Sequence, residues 1–363
     1  MTGDSCIAGI PGRAGPTNRL AAAVEGIDFL RRSPRAAGGP GSHKEWLHFV
    51  VHGDGVDVLV NFSIVDDTRA DHAASRELPR IVVLVRDRTW DGAIELFADG
   101  ECEIDGQRIH LRYGDNRVEF RDGVFFLHGK LRHRPVGFDL VLTPLVVPAP
   151  CNNIRLELDR RPINWMVMPR LLASGSVRIG ARTHEFDAAP AYHDHNWGHF
   201  QWGGDFAWEW GFALPVARAN PWSLVYVRLS NRARTRCFKQ GFFLWHGETV
   251  ARVFREADMT VSLAGLLRTG SLFKLPGVMN VIDPGCDSDV PRFVECRAEG
   301  SGDSAEFRFE ADDVAQVCIP NDTDDDGLTI INEVSGRMVA RGSVGGRRLA
   351  LDGPGMFEFV RGA

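Results

Sequence analysis

From Lys44 to the end of the chain, hydrophobic and polar residues alternate in short runs, broken by turn dipeptides at the spacing of roughly 8 to 12 residues typical of all-β domains. KEWLHFVVHGDGVDVLVNFSI reads as two strands around a Gly-Asp-Gly turn. RIVVLVRD, GAIELFA, RIHLRYG, NRVEFRDGVFFLHG and VGFDLVLTPL continue the series, with Asp122-Gly123 marking another hairpin. Strands resume after the Pro-rich segment LVVPAPCNN, which is placed to divide two units, and the grammar persists through DFAWEWGFALP, SLVYVRLS, CFKQGFFLWHG and the closing MFEFV. The count approaches about twenty strands, enough for two barrels of about eight to ten. One short helix is predicted in TNRLAAAVEGIDFLRRSP, stopped by Pro34, between a Gly- and Pro-rich arm and the linker AAGGPGSH. We expect an arm and helix over 1–42, a first barrel over 43–180, a second over 181–363, and a site near their junction.

Composition narrows the function. Across 363 residues, 42 Lys and Arg stand against 48 Asp and Glu, a net charge of -6 with no long basic block, which removes the electrostatic attraction that dominates nucleic-acid binding. The seven cysteines are scattered without a CxxC pair, which fits a reducing compartment better than a disulfide framework. No signal-peptide core and no transmembrane segment of about 18 apolar residues is present, so a soluble cytoplasmic protein is expected. GxGxxG and the P-loop pattern are absent, so no cofactor is expected, and no GxSxG nucleophile elbow appears. The sequence leaves the oligomeric state open.

Candidate chemistry concentrates in Ala191 to Trp222, which holds five of the nine tryptophans, three of the twelve histidines and one of three tyrosines. If YHDHNW is extended, Tyr192, Asp194 and Asn196 share one face while His193, His195 and Trp197 share the other. A carboxyl among rings is desolvated, which raises its pKa and lets it hold a transferable proton near neutral pH, while aromatic faces stabilise a developing cation. Asp194 is therefore a candidate acid. The alternatives are a structural one, with Asp194 capping a turn and the tryptophans filling a barrel, and a metal site of His193, His195 and His199, with Glu209 as its carboxylate.

A second pattern lies in NDTDDDGLTIINE, where Asp322, Asp324, Asp326, Gly327 and Glu333 match the calcium-loop spacing, although strands rather than helices flank it. An acidic hairpin turn is the simpler account. Trp46 and Trp165 sit in strand-like contexts, and Glu45 and His48 read most simply as surface residues.

The motif YHDHNWG at 192 to 198, preceded by WMVMPRLLASGSVRI and followed by DFAWEWG, resembles the hydroxyneurosporene synthase or carotenoid 1,2-hydratase family and its AttH-like relatives. KEWLHFVV and GPGMFEFV resemble that family's first and last strands. The resemblance implies two lipocalin-like barrels in tandem and a hydrophobic small-molecule substrate, the family including hydratases, terpenoid or polyketide cyclases and Diels-Alder-type pericyclases. It also implies that Tyr192 and Asp194 protonate an alkene and that Trp165 matches an upstream tryptophan; where the family places a His two residues before it, this chain has Ile163. The implied site has Asp194 as acid, Tyr192, His193 and His195 as orienting partners, and Trp165, Trp197, Trp208 and Trp210 as walls. A non-catalytic lipid or pigment carrier on the same scaffold is the competing expectation.

Overall fold

The computed structural model describes residues 18–31, 42–67, 76–151, 156–158, 161–215, 219–286, 288–322 and 327–362. Among these the chain is nearly all antiparallel β, arranged as two curled sheets of 13 and 10 strands. The first sheet runs Trp90–Leu96, Arg76–Arg86, Val56–Asp67, Ser42–Gly53, Arg182–Phe200, Arg161–Ile179, Val136–Pro144, Val124–Lys130, Asn116–Arg121, His110–Tyr113 and Cys102–Ile104. Its path curls until Arg76–Arg86 touches His110–Tyr113. The second runs Thr249–Arg255, Cys237–His246, Trp222–Ser230, Ala207–Ala213, Arg347–Gly362, Leu328–Val344, Asp303–Pro320, Phe293–Gly300 and Met259–Ala264, and its ends also meet. One short strand, Phe273–Leu275, departs from the antiparallel rule by pairing parallel to Asp303–Pro320.

The expected turns lie where the chemistry requires them. Asp54-Gly55 and Asp122-Gly123 both have positive φ at each central residue, the geometry whose twist matches a two-residue hairpin. Two expected divisions are corrected. The boundary at 180 falls inside the hairpin of Arg161–Ile179 and Arg182–Phe200, where Gly180 turns the chain with φ +62; both strands belong to the first sheet, and the change of sheet comes between Phe200 and Ala207. The Pro-rich segment does not separate units either, because Ala149–Pro150 pairs with Arg161–Ile179.

Alternation sends one face of each sheet inward. Leu47, Phe49, Phe62, Phe125 and Leu127 fill the first, and Tyr226, Phe242, Phe307, Phe309 and Phe357 the second. Each such side chain contributes about 1.5–3 kcal/mol on full burial. The first core continues outward through the sheet to Trp165, Trp208, Trp210, Phe212, Met356 and Val360, so the two sheets pack through outer faces that would otherwise meet water. The predicted amino-terminal helix is Asn18–Ile27, shorter than its pattern, and it buries Leu20 and Val24. Asp28, directly after it, is drawn into the first sheet. No helix among the described residues is long and apolar enough to cross a membrane.

Candidate active site

The strand Arg182–Phe200 is the central wall of the site, and its two faces differ in chemistry. It pairs with Ser42–Gly53 so that Asn196 faces Trp46, Asp194 faces His48 and Tyr192 faces Val50. On its other edge Asn196 faces Trp165 and Asp194 faces Val167. Cross-strand partners share a face, so Asp194, Tyr192, Asn196, His48, Trp46 and Trp165 all lie on the side packed against the second sheet. That sheet presents Trp208, Trp210 and Phe212 from Ala207–Ala213, Glu358 from the last strand and, opposite Glu358, Glu333.

The aromatic walls are continuous. Trp165 lies 6.1 Å from Trp208 and 5.7 Å from Trp210, Tyr192 lies 5.0 Å from Trp210, and Tyr192 stacks on Phe212 at 3.8 Å. Trp202 and Phe206, in the crossing between sheets, extend the row to Trp208. Gly211 makes room on the reverse side of this strand, since a side chain there would collide with the Phe357 ring.

Three carboxyls stand in this setting. Asp194 is about 1% exposed, and burial pushes its pKa well above the usual carboxylate range; the neighbouring charge of Glu358 pushes the same way, while the nearby Tyr192 hydroxyl, the Asn196 amide that donates to it and the Trp165 indole pull back. Glu333 is raised by burial and by Glu358, with which it shares a hydrogen bond. Glu358 is raised by burial, against the pull of the Trp208 indole N–H that donates to it. Burial and the adjacent Asp194 also raise the Tyr192 phenol. His48 is pushed down to about 3 by burial and by His193, so it is neutral, and its Nε2 is buried without a hydrogen-bond partner among the described residues. The arrangement concentrates carboxyls whose hold on the proton is strengthened, a neutral imidazole and π-faces, a setting suited to proton transfer to an electron-rich apolar group.

The opposite face of the strand is an ion-pair network. Asp28 accepts from His193 Nε2 at 2.9 Å and from His195 Nδ1 at 2.7 Å, and His193 Nδ1 donates to the His48 carbonyl at 2.9 Å. His195 Nε2 reaches Glu45 at 2.8 Å, and Glu45 also accepts from His43 and from the Arg31 main-chain N–H. Burial alone would raise both acids and lower His195. The hydrogen bonds and opposite charges outweigh it, holding Asp28 far below its ordinary range, Glu45 at about 2 and His195 above its own.

These positions correct several expectations. His193 and His195 do not orient Asp194, because alternation turns them to the other face and Asp28 and Glu45 occupy their nitrogens. Trp197 goes with them, packed against His195 and under the Arg31 guanidinium at 3.8 Å, and is not a wall of the acid site. His199 packs on His43, and Glu209 is held in the second sheet by Arg228 and Arg234 at 3.3 and 3.4 Å, so the expected metal ligands do not converge. Among the described residues no group of three or more His, Cys, Asp or Glu could hold a metal ion. Glu45 and His48 are buried rather than on the surface. The structure places Tyr192, Asp194, Trp165, Trp208 and Trp210 together.

The calcium-like pattern is divided between two tasks. Asp322 accepts from Lys44 Nζ at 2.7 Å and from the Trp202 main-chain N–H at 2.8 Å, and Thr329 accepts from Gly203, so this hairpin ties down the crossing between sheets. Glu333 lies within Leu328–Val344 and turns its carboxyl to Glu358. Asp324 and Asp326 lie outside the described residues.

A cavity of about 40 Å³ opens beside the carboxyls, lined by Trp46, Asn61, Arg80, Trp202, Trp208, Ile331, Glu333 and Glu358. Larger grooves of about 240 and 650 Å³ lie around Arg170 and Pro190 and around Arg117 and Lys130, and neither contains a buried carboxyl among the described residues.

No family model matches the chain, and no curated protein matches it. Solved structures do. An AttH candidate of Nitrosomonas europaea is similar with a TM-score of 0.59 at 12% identity, over 92% of this chain and 97% of that one. CghA is similar with 0.58 at 13% identity over 92% and 94%, and has also been solved with Sch210972. Kievitone hydratase from Nectria haematococca is similar with 0.54 at 11% identity over 96% of each chain. The fold is thus that of the AttH-like proteins.

Proposed function

We propose that this protein is an enzyme of secondary metabolism that takes a hydrophobic polyene, terpenoid or polyketide chain between the two sheets and carries out acid-assisted hydration or cyclisation. The observation that carries this reading is Asp194, a buried carboxyl with no cation beside it among the described residues, flanked by Tyr192 and walled by Trp165, Trp208 and Trp210. Protonated in place, Asp194 gives its proton to a substrate double bond; the C–H bond forms as the π bond breaks, and the electron-poor carbon left behind meets aromatic faces. Water or an internal nucleophile then attacks that carbon, and its proton returns to the carboxylate. Tyr192, on the same face two residues away, lies beside the acid and positions it. That one similar structure is a hydratase and another has been solved with Sch210972 agrees with this class of chemistry.

The carrier reading is weaker because both barrel interiors are filled, the first by Phe49, Phe62 and Phe125 under the amino-terminal segment and the second by Phe242, Phe307 and Phe357. The free space at the acid site holds a few waters rather than a substrate of several hundred Å³, so binding displaces rim side chains, of which Trp46 and Ile331 are partly exposed. The test is turnover of a panel of polyenes, terpenoids and prenylated phenols in deuterium oxide. Alkene protonation puts one carbon-bound deuterium into the product, read by mass spectrometry, and Asp194→Asn removes it. A product without deuterium points to a pericyclic reaction, in which the pocket only holds the reacting carbons together.

A further inference from the structure

Among the described residues, the cavity beside Glu333 and Glu358 is lined by one cation, Arg80. It stands on Arg76–Arg86 in register with Ser63, to whose hydroxyl its Nε donates at 2.9 Å. Its side chain reaches the space shared with Trp46, Trp202, Trp208 and the two glutamates. Neither glutamate pairs with it: Glu358 accepts from the Trp208 indole and lies opposite Glu333. Asp322 is the anion that acts on Arg80, and its Oδ2 is committed to Lys44 and to the Trp202 main chain. Burial lowers the guanidinium to about 10, which leaves it charged at any physiological pH.

A partly buried guanidinium beside indoles, bonded through its Nε to Ser63, is a half-made recognition site. The planar fork of an arginine matches two oxygens, or one strongly polarised oxygen, through parallel N–H donors. We propose that Arg80 is the anchor for an acidic oxygen on the substrate, so that the ligand is an apolar molecule ending in a carboxylate, enolate or phenolate. This inference rests on the reading that the inter-sheet cavity is where substrate binds. It adds an orientation: the acidic oxygen sits at Arg80, and the apolar body runs along Trp208 and Trp165 toward Asp194.

The experiment compares 2-naphthoate with its neutral amide, 2-naphthamide, by isothermal titration calorimetry at pH 7.5, using wild type, Arg80→Met, Arg80→Lys and Asp194→Asn. A charge-assisted pair in this setting gives wild type a preference for naphthoate of about tenfold or more. Arg80→Met removes the preference, Arg80→Lys retains part of it, and Asp194→Asn retains all of it. Equal affinity of wild type for the two probes overturns the role of Arg80 while leaving the cavity as a binding site, and this outcome needs no variant to fold. A preference that persists in Arg80→Met overturns it too. Binding of neither probe to wild type overturns the cavity itself, and with it the proposed function.

Discussion

The two faces of strand Arg182–Phe200 each meet buried carboxyls and behave as opposites. On one face Asp28 and Glu45 are each met by imidazoles, and their carboxyls are held strongly acidic. On the other, Asp194, Glu333 and Glu358 meet one another and neutral donors, and all three are pushed up. Burial is similar on both sides, so burial does not decide the difference. The presence or absence of a counter-charge does: paired acids hold structure together, and unpaired acids store protons.

The largest expected effect breaks the paired face. Asp28→Asn leaves two buried imidazoles without their carboxylate, and losing one partner of a buried ion pair costs about 3–5 kcal/mol. Urea unfolding should register this as a lower midpoint. The same change on the other face, Asp194→Asn, should leave the midpoint near or above wild type. A large destabilisation there would return Asp194 to a structural role.

Turnover should reverse the ranking. General acid catalysis is typically worth about 10²- to 10⁴-fold, so Asp194→Asn should lower kcat at least about a hundredfold with little change in ligand affinity, and Tyr192→Phe should lower it less. Wild-type kcat in a folded Asp194→Asn protein would end the case for Asp194 as the acid.

The response of stability to pH should separate the faces again. Raised acids such as Glu333 stay protonated in the fold while the unfolded chain ionises above about pH 4, so their contribution is full below that pH and is lost as pH rises, by about 1.4 kcal/mol per unit for each group. Glu333→Gln should therefore raise Tm at pH 8 and flatten the alkaline slope. Asp28 and Glu45 act in the other direction, contributing above their unfolded pKa near 4 and losing that contribution as pH falls through their folded values. His195 contributes fully below about pH 6.5 and ceases to as pH passes its raised value. A Glu333→Gln Tm profile that overlays wild type from pH 5 to 8 would count against a protonated Glu333.

The smallest expected effect concerns the tryptophans. Trp165→Phe should weaken ligand binding by about threefold to tenfold, in proportion to the aromatic surface removed, whereas Trp197→Phe, on the paired face, should leave it unchanged. Fluorescence titration of both variants with 2-naphthoate checks this.

Much of the strand order and the two-faced character of residues 192 to 197 is legible in the sequence, because period-two alternation is local and Asp-Gly turns carry their own geometry. What alternation does not supply is the identity of the groups across each face. Asp28 reaches His193 across 165 positions from a segment that reads as helix. Glu358 is visible only as an acid flanked by phenylalanines in MFEFV, on the same face as Met356 and Val360. Glu45 and His48 mislead for a related reason: KEWLHFVV is polar on both faces because both are buried, so the rule that polar positions face water fails there. The true change of sheet is hidden because a long hairpin gives no compositional sign of which sheet it joins.

The crossing at 201–206 and its clasp to Asp322 and Thr329 bear on how such a protein could arise or be divided. Asp194 comes from one half of the chain, and Glu333 and Glu358 come from the other. Either half made alone would turn its share of these acids to solvent, where they would ionise like any surface carboxylate. The unusual acidity is therefore inherited by neither half. It originates in their union, and a gene fragment ending at the crossing would encode a scaffold without its chemistry.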